Sequence, residues 1–448
     1  MKIVIIGGDA AGMSAASKIK RTRPEFEVTV FEKSEDVSYS ACGMPYNIAD
    51  PGRKIEDLVV REAAAFREKQ GIRLLTGHRV EQIDPSGKRI SGVTSTGDRF
   101  EEPYDTLVIA TGGSSIVPGL PGFDRKGVLA LKSLDDGRKL KSYIASQGVR
   151  KAVIIGMGYI GLEMCEALVE RGIHVSMVKP NLGLLPWMDE TLSKEVANEL
   201  VSHGVSLYSG HAVRRIEERE GELTVVCDDL SLDADMVLPA MGIRPNSGIA
   251  GDAGIELGAG SAISVDRFLR TSDPHIYAVG DCADSYHVVT GKKTWIPLAL
   301  RANRSGWAVA DNLCGEPSEI PGVAGTAVFK VFHLEVARTG ITEKEALKEG
   351  FEPVSVTIES RSRAHAHPGS SVIRVYMTGD KLSGRLLGVQ MVGREGCAHR
   401  INAAAVALHA KMSVQSFSEA DLAYAPPFGP VWDPMLTAAN QLLKKMAG

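Results

Sequence analysis

MKIVIIGGDAAGMSAASKIKRTRPEFEVTVFEK, residues 1–33, decides the fold. KIVII (2–6) is short, apolar and β-branched, as a parallel strand buried on both faces should be. Gly7-Gly8-Asp9-Ala10-Ala11-Gly12 follows, then a helical stretch from Met13 to about Arg21, then a second strand, VTVFE, ending at Glu32. Glu32 stands 20 residues after Gly12. Strand, glycine turn, helix and strand make a βαβ unit, with an acid at the distance expected for a ribose 2′-hydroxyl. The glycines let the backbone approach a pyrophosphate, and the helix N-terminus supplies N–H groups and positive potential. Asp9 replaces the middle glycine of the fingerprint, so the surrounding strand, helix and acid carry the reading. The competing reading is a tight turn that binds nothing.

Working outward, residues 151–179, KAVIIGMGYIGLEMCEALVERGIHVSMVK, repeat the unit with a full GxGxxG in Gly156, Gly158 and Gly161. The position matching Glu32 holds Lys179. A carboxylate there would bond a ribose diol, whereas a lysine can neutralise a 2′-phosphate. Lys179 thus tilts the nicotinamide preference toward NADPH or tolerance of both, unless it is a solvated lysine beside the site.

Two dinucleotide folds point to two dinucleotides. In TSDPHIYAVGDCAD (271–284) the apolar strand IYAV delivers Gly280-Asp281 to its carboxyl end, where open α/β sheets bind ligands. Asp281 is suited to accept hydrogen bonds from a flavin ribityl chain. LVIATGG (107–113) and LPAMGIRPN (238–246) close the two nucleotide units. With these five ordered motifs the chain resembles, over essentially its whole length, the pyridine nucleotide-disulfide oxidoreductases.

The resemblance implies an α/β fold of two Rossmann-like domains and an α+β C-terminal dimerisation domain. An FAD-binding domain is expected over 1–113 and 246–320, an NAD(P)H-binding domain over 114–245, and a dimerisation domain over 321–448. Pro118-Gly119-Leu120-Pro121-Gly122 marks the first crossover. In the last region, strands such as VSVTI and VIRVYM precede helices such as HRINAAAVALHAKM. By resemblance, Gly7, Ala10, Ala11, Gly12, Glu32, Lys33, Val80, Ala110, Thr111, Gly112, Asp281, Pro297 and Ala299 line FAD. Gly156, Gly158, Tyr159, Ile160, Gly161, Glu163, Lys179 and Gly242 line NADPH or NADH. In relatives, the residue at Tyr159 covers the flavin and moves aside for the nicotinamide, which Glu163 orients; Tyr159 packed in its turn is the alternative.

SYSACGMPYNIAD places Cys42 ten residues after Glu32. In the family this segment starts a helix along the flavin, and a thiol at a helix N-terminus is expected to have a lowered pKa. Most disulfide reductases of the fold have two cysteines five positions apart. Position 37 is Val37 and no cysteine follows within five residues, so Cys42 works alone, through a mixed disulfide with a substrate thiol or a sulfenic acid. Single-cysteine members divide mainly into CoA-disulfide reductases and NADH oxidases or peroxidases. The oxygen- and peroxide-reducing members usually carry a histidine in the first glycine turn, where this chain has Ala10, so that proton donor is missing.

CoA-disulfide reductases also carry basic residues on the first helix for the CoA phosphates, a pattern Lys18 and Arg21 fit. Ser38 and His367 join them as substrate residues by resemblance. Tyr424, in DLAYAPPFGPVWDP, matches the tyrosine that reaches the partner subunit's cysteine, unless it is a core tyrosine. One departure is Ala366-His367-Pro368 where a Tyr-Tyr-Pro segment is common. Together with Arg361, Arg363 and His365 it leaves room for another anionic thiol, a persulfide or a polysulfide.

Bulk properties agree. At ~100–200 residues per domain, 448 residues make several domains. A net charge of −4 gives no basic field for nucleic acid. Six scattered cysteines show no CxxC and no metal-ligand spacing, so neither a disulfide framework nor a metal site is expected. The start lacks signal-peptide features and no apolar run spans a membrane, so a cytoplasmic enzyme is expected; that it is a homodimer is what the resemblance implies. No rhodanese-like extension is expected. Disulfide reduction leads; an NAD(P)H oxidase, a peroxidase, a polysulfide reductase and an electron-transfer flavoprotein reductase are the alternatives.

Overall fold

A computed structural model describes residues 1–448. The first unit comprises the strand Lys2–Ile6, the helix Ala10–Thr22 and the strand Glu27–Phe31. The helix starts before the expected Met13. Asp9 is extended and serves as N-cap, and Ala10, Ala11 and Gly12 already wind the first turn. These small residues carry no apolar periodicity, so the pattern hid them. A Cβ on Gly12 would sit 1.9 Å from the Gly7 carbonyl oxygen, so helix and strand approach this closely only with glycine there.

The sheet around this unit is parallel, in the order Ile276–Ala278, Thr106–Ile109, Lys2–Ile6, Glu27–Phe31, Arg73–Leu75. Ile3, Val4, Ile5, Leu107 and Val108 are fully buried: the helices Ala10–Thr22 and Ala299–Cys314 pack together beside the sheet, and the antiparallel sheet His78–Asp84, Arg89–Thr94 and Arg99–Pro103 brings Phe100 to stack on Phe31, ring centroids 5.0 Å apart. All five strands run the same way. Gly7, Ala110 and Val279-Gly280 therefore emerge together at one edge, although they come from distant parts of the chain.

The second unit, Lys151–Ile155, Tyr159–Glu170 and His174–Lys179, lies in a four-stranded parallel sheet completed by Ser206–Ser209 and Met236–Pro239. The chain enters and leaves it through Gly113–Ser115 and Ile243–Pro245, which pair antiparallel. This ribbon ties the two nucleotide units together at their shared edge.

The C-terminal region is a five-stranded antiparallel sheet in the order Ala327–Val331, Leu334–Gly340, Leu386–Gly393, Val372–Asp380, Pro353–Arg361. The helices Cys397–His409 and Pro434–Ala447 pack on it. Buried carboxylates fasten it to the second unit. Glu166 accepts the Phe332 amide at 2.7 Å and pairs with Lys330. Glu199 accepts the His333 amide at 3.1 Å and lies 3.0 Å from the His333 Nδ1. The Gln390 side chain bridges the Trp187 carbonyl and the Asp189 amide, both at 2.8 Å. Each buried acid is hydrogen-bonded, as its desolvation demands. No helix is long and apolar enough to cross a membrane.

Candidate active site

Past Glu32 the chain turns back across the first glycine loop. Ser38 adopts a left-handed conformation, φ 49°, with its amide on the Gly8 carbonyl at 3.3 Å and its carbonyl accepting Val60 N–H at 2.8 Å. This tie sets the next segment against the dinucleotide turn. Cys42 falls in the 3-10 turn Ala41–Gly43, directly ahead of the short helix Met44–Ala49. None of the six cysteines is bonded, and Cys42 is the exposed one; the other five are buried.

The expectation of a lowered Cys42 pKa is corrected. Displacement of water by surrounding protein pushes the thiol up, and the Glu163 carboxylate adds to this. Asp281 and Asp9 act in the same sense, and only Lys132 opposes them. Partial desolvation leads, and Glu163 is the strongest charge acting with it.

The residues at the sheet edge fit FAD. A Cβ on Gly7, φ 113°, would stand 2.2 Å from the Ala110 carbonyl oxygen, so the turn closes only with glycine. Ala11 lines the same helix start as Ala10. Glu32 caps the edge, accepting the Gly8 amide at 2.8 Å and the Ser34 amide at 2.9 Å, with exposed Lys33 beside it. Thr111 Oγ1 donates to the Asn246 carbonyl at 2.6 Å, which clips the Ala110–Gly112 loop to the returning chain. A Cβ on Gly112 would meet nothing within 4 Å, so the space before this loop is open. Asp281 is held in the turn Gly280–Cys282 by Trp295 Nε1 donating to its carbonyl at 2.8 Å and by buried Arg301 donating to the Gly280 carbonyl at 2.6 Å. Its carboxylate lies 3.4 Å from Lys132 Nζ. Pro297 and Ala299 lead into the helix Ala299–Cys314 beside this turn, and half-buried Val80 packs against the first core.

The second turn is built alike. A Cβ on Gly156 would stand 2.3 Å from the Ala240 carbonyl oxygen, and one on Gly161 would stand 2.7 Å from the Gly156 carbonyl oxygen. Gly242, φ 104°, closes the facing loop. Tyr159 packs edge-on against Phe329, ring centroids 5.0 Å apart, and near Trp187; Ile160 beside it is exposed. Glu163 accepts the Tyr46 hydroxyl at 2.8 Å, and burial raises its pKa. Lys179 ends its strand as the pattern requires, but its Nζ donates to the Leu184 carbonyl at 2.6 Å, and burial lowers its pKa.

The expected substrate residues lie on separate elements. Lys18 pairs with Asp311 at 2.6 Å and lies over Trp307, so its charge is already partnered; Arg21 is exposed. Arg363 is committed to Glu395 at 2.7 Å, whereas His367 is half-buried, with Nδ1 3.0 Å from the Pro368 carbonyl oxygen. Tyr424 is exposed, in a segment that also exposes Phe428 and Trp432. Arg400 anchors that segment through the Phe428 carbonyl at 2.6 Å and Asp433 at 2.7 Å.

Sequence reasoning missed Lys132 and Tyr46. Tyr46 lies four residues after Cys42, a spacing that places both on one helical face, which is a usable signal. Lys132 has none: 149 residues separate it from Asp281.

Residues 1–306 match the family described as pyridine nucleotide-disulphide oxidoreductase, and residues 326–435 match its dimerisation domain. The chain is 39% identical over 440 residues, 98% of each chain, to a CoA-dependent NAD(P)H sulfur oxidoreductase of Pyrococcus abyssi. It is 33% identical over the full length of both chains to an NADH oxidase of Methanocaldococcus jannaschii. An NAD-dependent persulfide reductase from A. fulgidus superposes with TM-score 0.96 at 36% identity, covering 100% of this chain and 84% of that one. Reduced CoADR-RHD from Bacillus anthracis does so with TM-score 0.96 at 32% identity, covering 100% and 81%.

Proposed function

The chain belongs to the pyridine nucleotide-disulphide oxidoreductase family, and from that premise we propose that it reduces a coenzyme A disulfide or persulfide through the single thiol of Cys42. Its cofactors are FAD and NAD(P)H. The observation that carries the reading is that Cys42 is the one exposed cysteine among six free ones. No second thiol of the chain stands ready to close an internal disulfide, so the substrate supplies the other sulfur.

The Cys42 thiolate attacks one sulfur of the disulfide, forming Cys42–S–S–R and releasing RS⁻, which takes a proton. Two electrons and one more proton then restore the Cys42 thiolate and release the second RSH. When bound, FAD supplies those two electrons, taken from NAD(P)H. The net change is RSSR + NAD(P)H + H⁺ → 2 RSH + NAD(P)⁺. With a persulfide, RSSH, the products are RSH and hydrogen sulfide.

The residues have separate tasks in this reading. Asp281 and the Gly7–Gly12 turn hold FAD, and the Gly156–Gly161 turn with Glu163 holds the nicotinamide dinucleotide. Lys179, once freed from the Leu184 carbonyl, supplies charge to a 2′-phosphate. Arg21, Ser38 and His367 receive the CoA portion, with Lys18 if Asp311 releases it. The domains divide as 1–113 with 246–320 for FAD, 114–245 for the nicotinamide dinucleotide and 321–448 for dimerisation. In a homodimer, Tyr424 serves the second subunit's thiol. An oxidase acting on oxygen is the other reading, which the M. jannaschii relative supports; Ala10 weighs against it, since it has no proton to give.

Steady-state assays with NADH and NADPH against CoA disulfide, CoA persulfide, inorganic polysulfide, oxygen and peroxide test the proposal. The CoA acceptors should give the highest kcat/KM, and Cys42→Ser should abolish that activity. A higher value with oxygen or peroxide overturns it.

A further inference from the structure

The second glycine turn shows what is unusual in the first. At its middle position, Gly158 faces open space: a Cβ there would meet nothing within 4 Å. The first turn places a carboxylate at the same position, Asp9. Asp9 is the N-cap of the helix Ala10–Thr22, yet its side chain makes no capping hydrogen bond. Its Oδ1 is sealed from solvent and has no hydrogen-bond partner. An ionised carboxylate with a sealed, unpartnered oxygen is poorly solvated. This one stands on the helix start to which a dinucleotide brings the negative charge of its diphosphate.

The charged and titratable groups around Asp9 come from three elements. Glu32 faces it from the end of the strand Glu27–Phe31. Tyr39 and Cys42 face it from the crossing segment. Lys132, itself paired with Asp281, faces it from the stretch ahead of the helix Leu134–Gln147. Burial is the largest influence on Asp9 and Glu32 adds to it, while the Tyr39 and Ala10 amides and Lys132 oppose. The balance pushes its pKa up to about 6. An arriving diphosphate acts in the same sense as Glu32 and raises it further.

We propose that Asp9 is the protonation switch of the FAD site: FAD binding favours the protonated carboxyl, so binding at neutral pH takes up a proton and the protein's hold on FAD weakens as pH rises. The inference rests on the reading that the first turn holds FAD. The proton comes from solvent and ends on the Asp9 carboxyl; no bond to FAD forms or breaks. The sign follows from the direction of the shift. Below the pKa of the free site, Asp9 is already protonated and affinity is flat. Above it, binding must first recruit a proton, and the dissociation constant rises by up to about tenfold per pH unit until the pKa of the complex is passed.

The test uses the full-length protein. FAD release from the holoenzyme is followed by free-flavin fluorescence from about pH 5.5 to about pH 9. Calorimetry of FAD into the stripped full chain, in two buffers of different ionisation enthalpy, counts the protons. The wild type should take up close to one proton and lose affinity above about pH 6. Asp9→Asn and Asp9→Gly should be flat with pH, with Asp9→Gly the tighter binder at about pH 8. Glu32→Gln should keep the slope. No proton uptake and a flat wild type, or an unchanged slope in Asp9→Asn, overturns the proposal, as does a slope lost only in Glu32→Gln. Should Asp9→Gly fail to fold, Asp9→Asn and the wild-type proton count still decide. Failure to bind FAD at any pH would instead defeat the FAD reading of the first turn.

Discussion

The Tyr46 hydroxyl donates to Glu163 Oε1 at 2.8 Å, joining the helix behind Cys42 to the helix of the second glycine turn across 117 residues of chain. The bond holds a carboxylate near the reactive sulfur, and Glu163 is the strongest charged influence raising the Cys42 pKa. A residue of the second glycine-turn helix therefore restrains the reactive thiol.

Glu163→Gln removes that negative charge, so the Cys42 pKa falls and the thiolate fraction at neutral pH rises. Alkylation of the reduced enzyme by iodoacetamide should be faster at neutral pH than in the wild type, with its pH profile displaced downward. Lys132→Met removes the one opposing charge and should displace the profile upward. Coincident profiles for all three proteins would show that neither charge governs the thiol.

Asp281→Ala should weaken FAD retention. Loss of hydrogen bonds to a charged acceptor costs about 1.5–3 kcal/mol, roughly tenfold or more in affinity. The variant also frees Lys132 beside Cys42. Gel filtration followed by the flavin-to-protein absorbance ratio measures the loss; a full wild-type ratio after dilution would remove Asp281 from the FAD site.

Arg21→Ala should raise KM for a CoA acceptor more than Lys18→Ala, because Asp311 already partners Lys18. A charge-assisted phosphate contact is worth about 1.5–3 kcal/mol at best, less where exposed. KM for inorganic polysulfide should stay near the wild-type value. Equal increases for both acceptors would place the effect in folding rather than in CoA recognition.

Cys42→Ser and Tyr424→Phe subunits, each inactive alone, should regain activity when mixed and refolded together, since a heterodimer holds one site with both residues intact. Absence of any recovery, or full activity in a monomer measured by light scattering, would place Tyr424 outside the partner's site.

Arg400→Ala should lower stability by about 2–4 kcal/mol, because it strands half-buried Asp433 and the Phe428 carbonyl. Thermal unfolding reads the loss. The Tyr424 segment should become protease-sensitive before the rest of the chain, and cleavage elsewhere first would show that Arg400 does not hold it.

Much of this molecule is written locally. Glycine spacing, β-branched runs and the distance from Gly12 to Glu32 are short-range properties, so both βαβ units, their order and the position of Cys42 were legible in the sequence. The helix start at Ala10 was not, because alanine and glycine carry no periodic signal. The electrostatics of the site were decided by tertiary structure alone. The lowered thiol expected from a helix start gave way to desolvation and then to the nearby Glu163 carboxylate, and Lys132, ahead of the helix Leu134–Gln147, met Asp281 only through packing between the second unit and the first sheet. Lys18 and Lys179, free charges on paper, became partners of Asp311 and of the Leu184 carbonyl. Field and desolvation act through space, and neither depends on separation along the chain. The sequence by itself therefore determined which chemistry-bearing residues are present and on which elements they stand, and the packing of three domains determined which of them face one another.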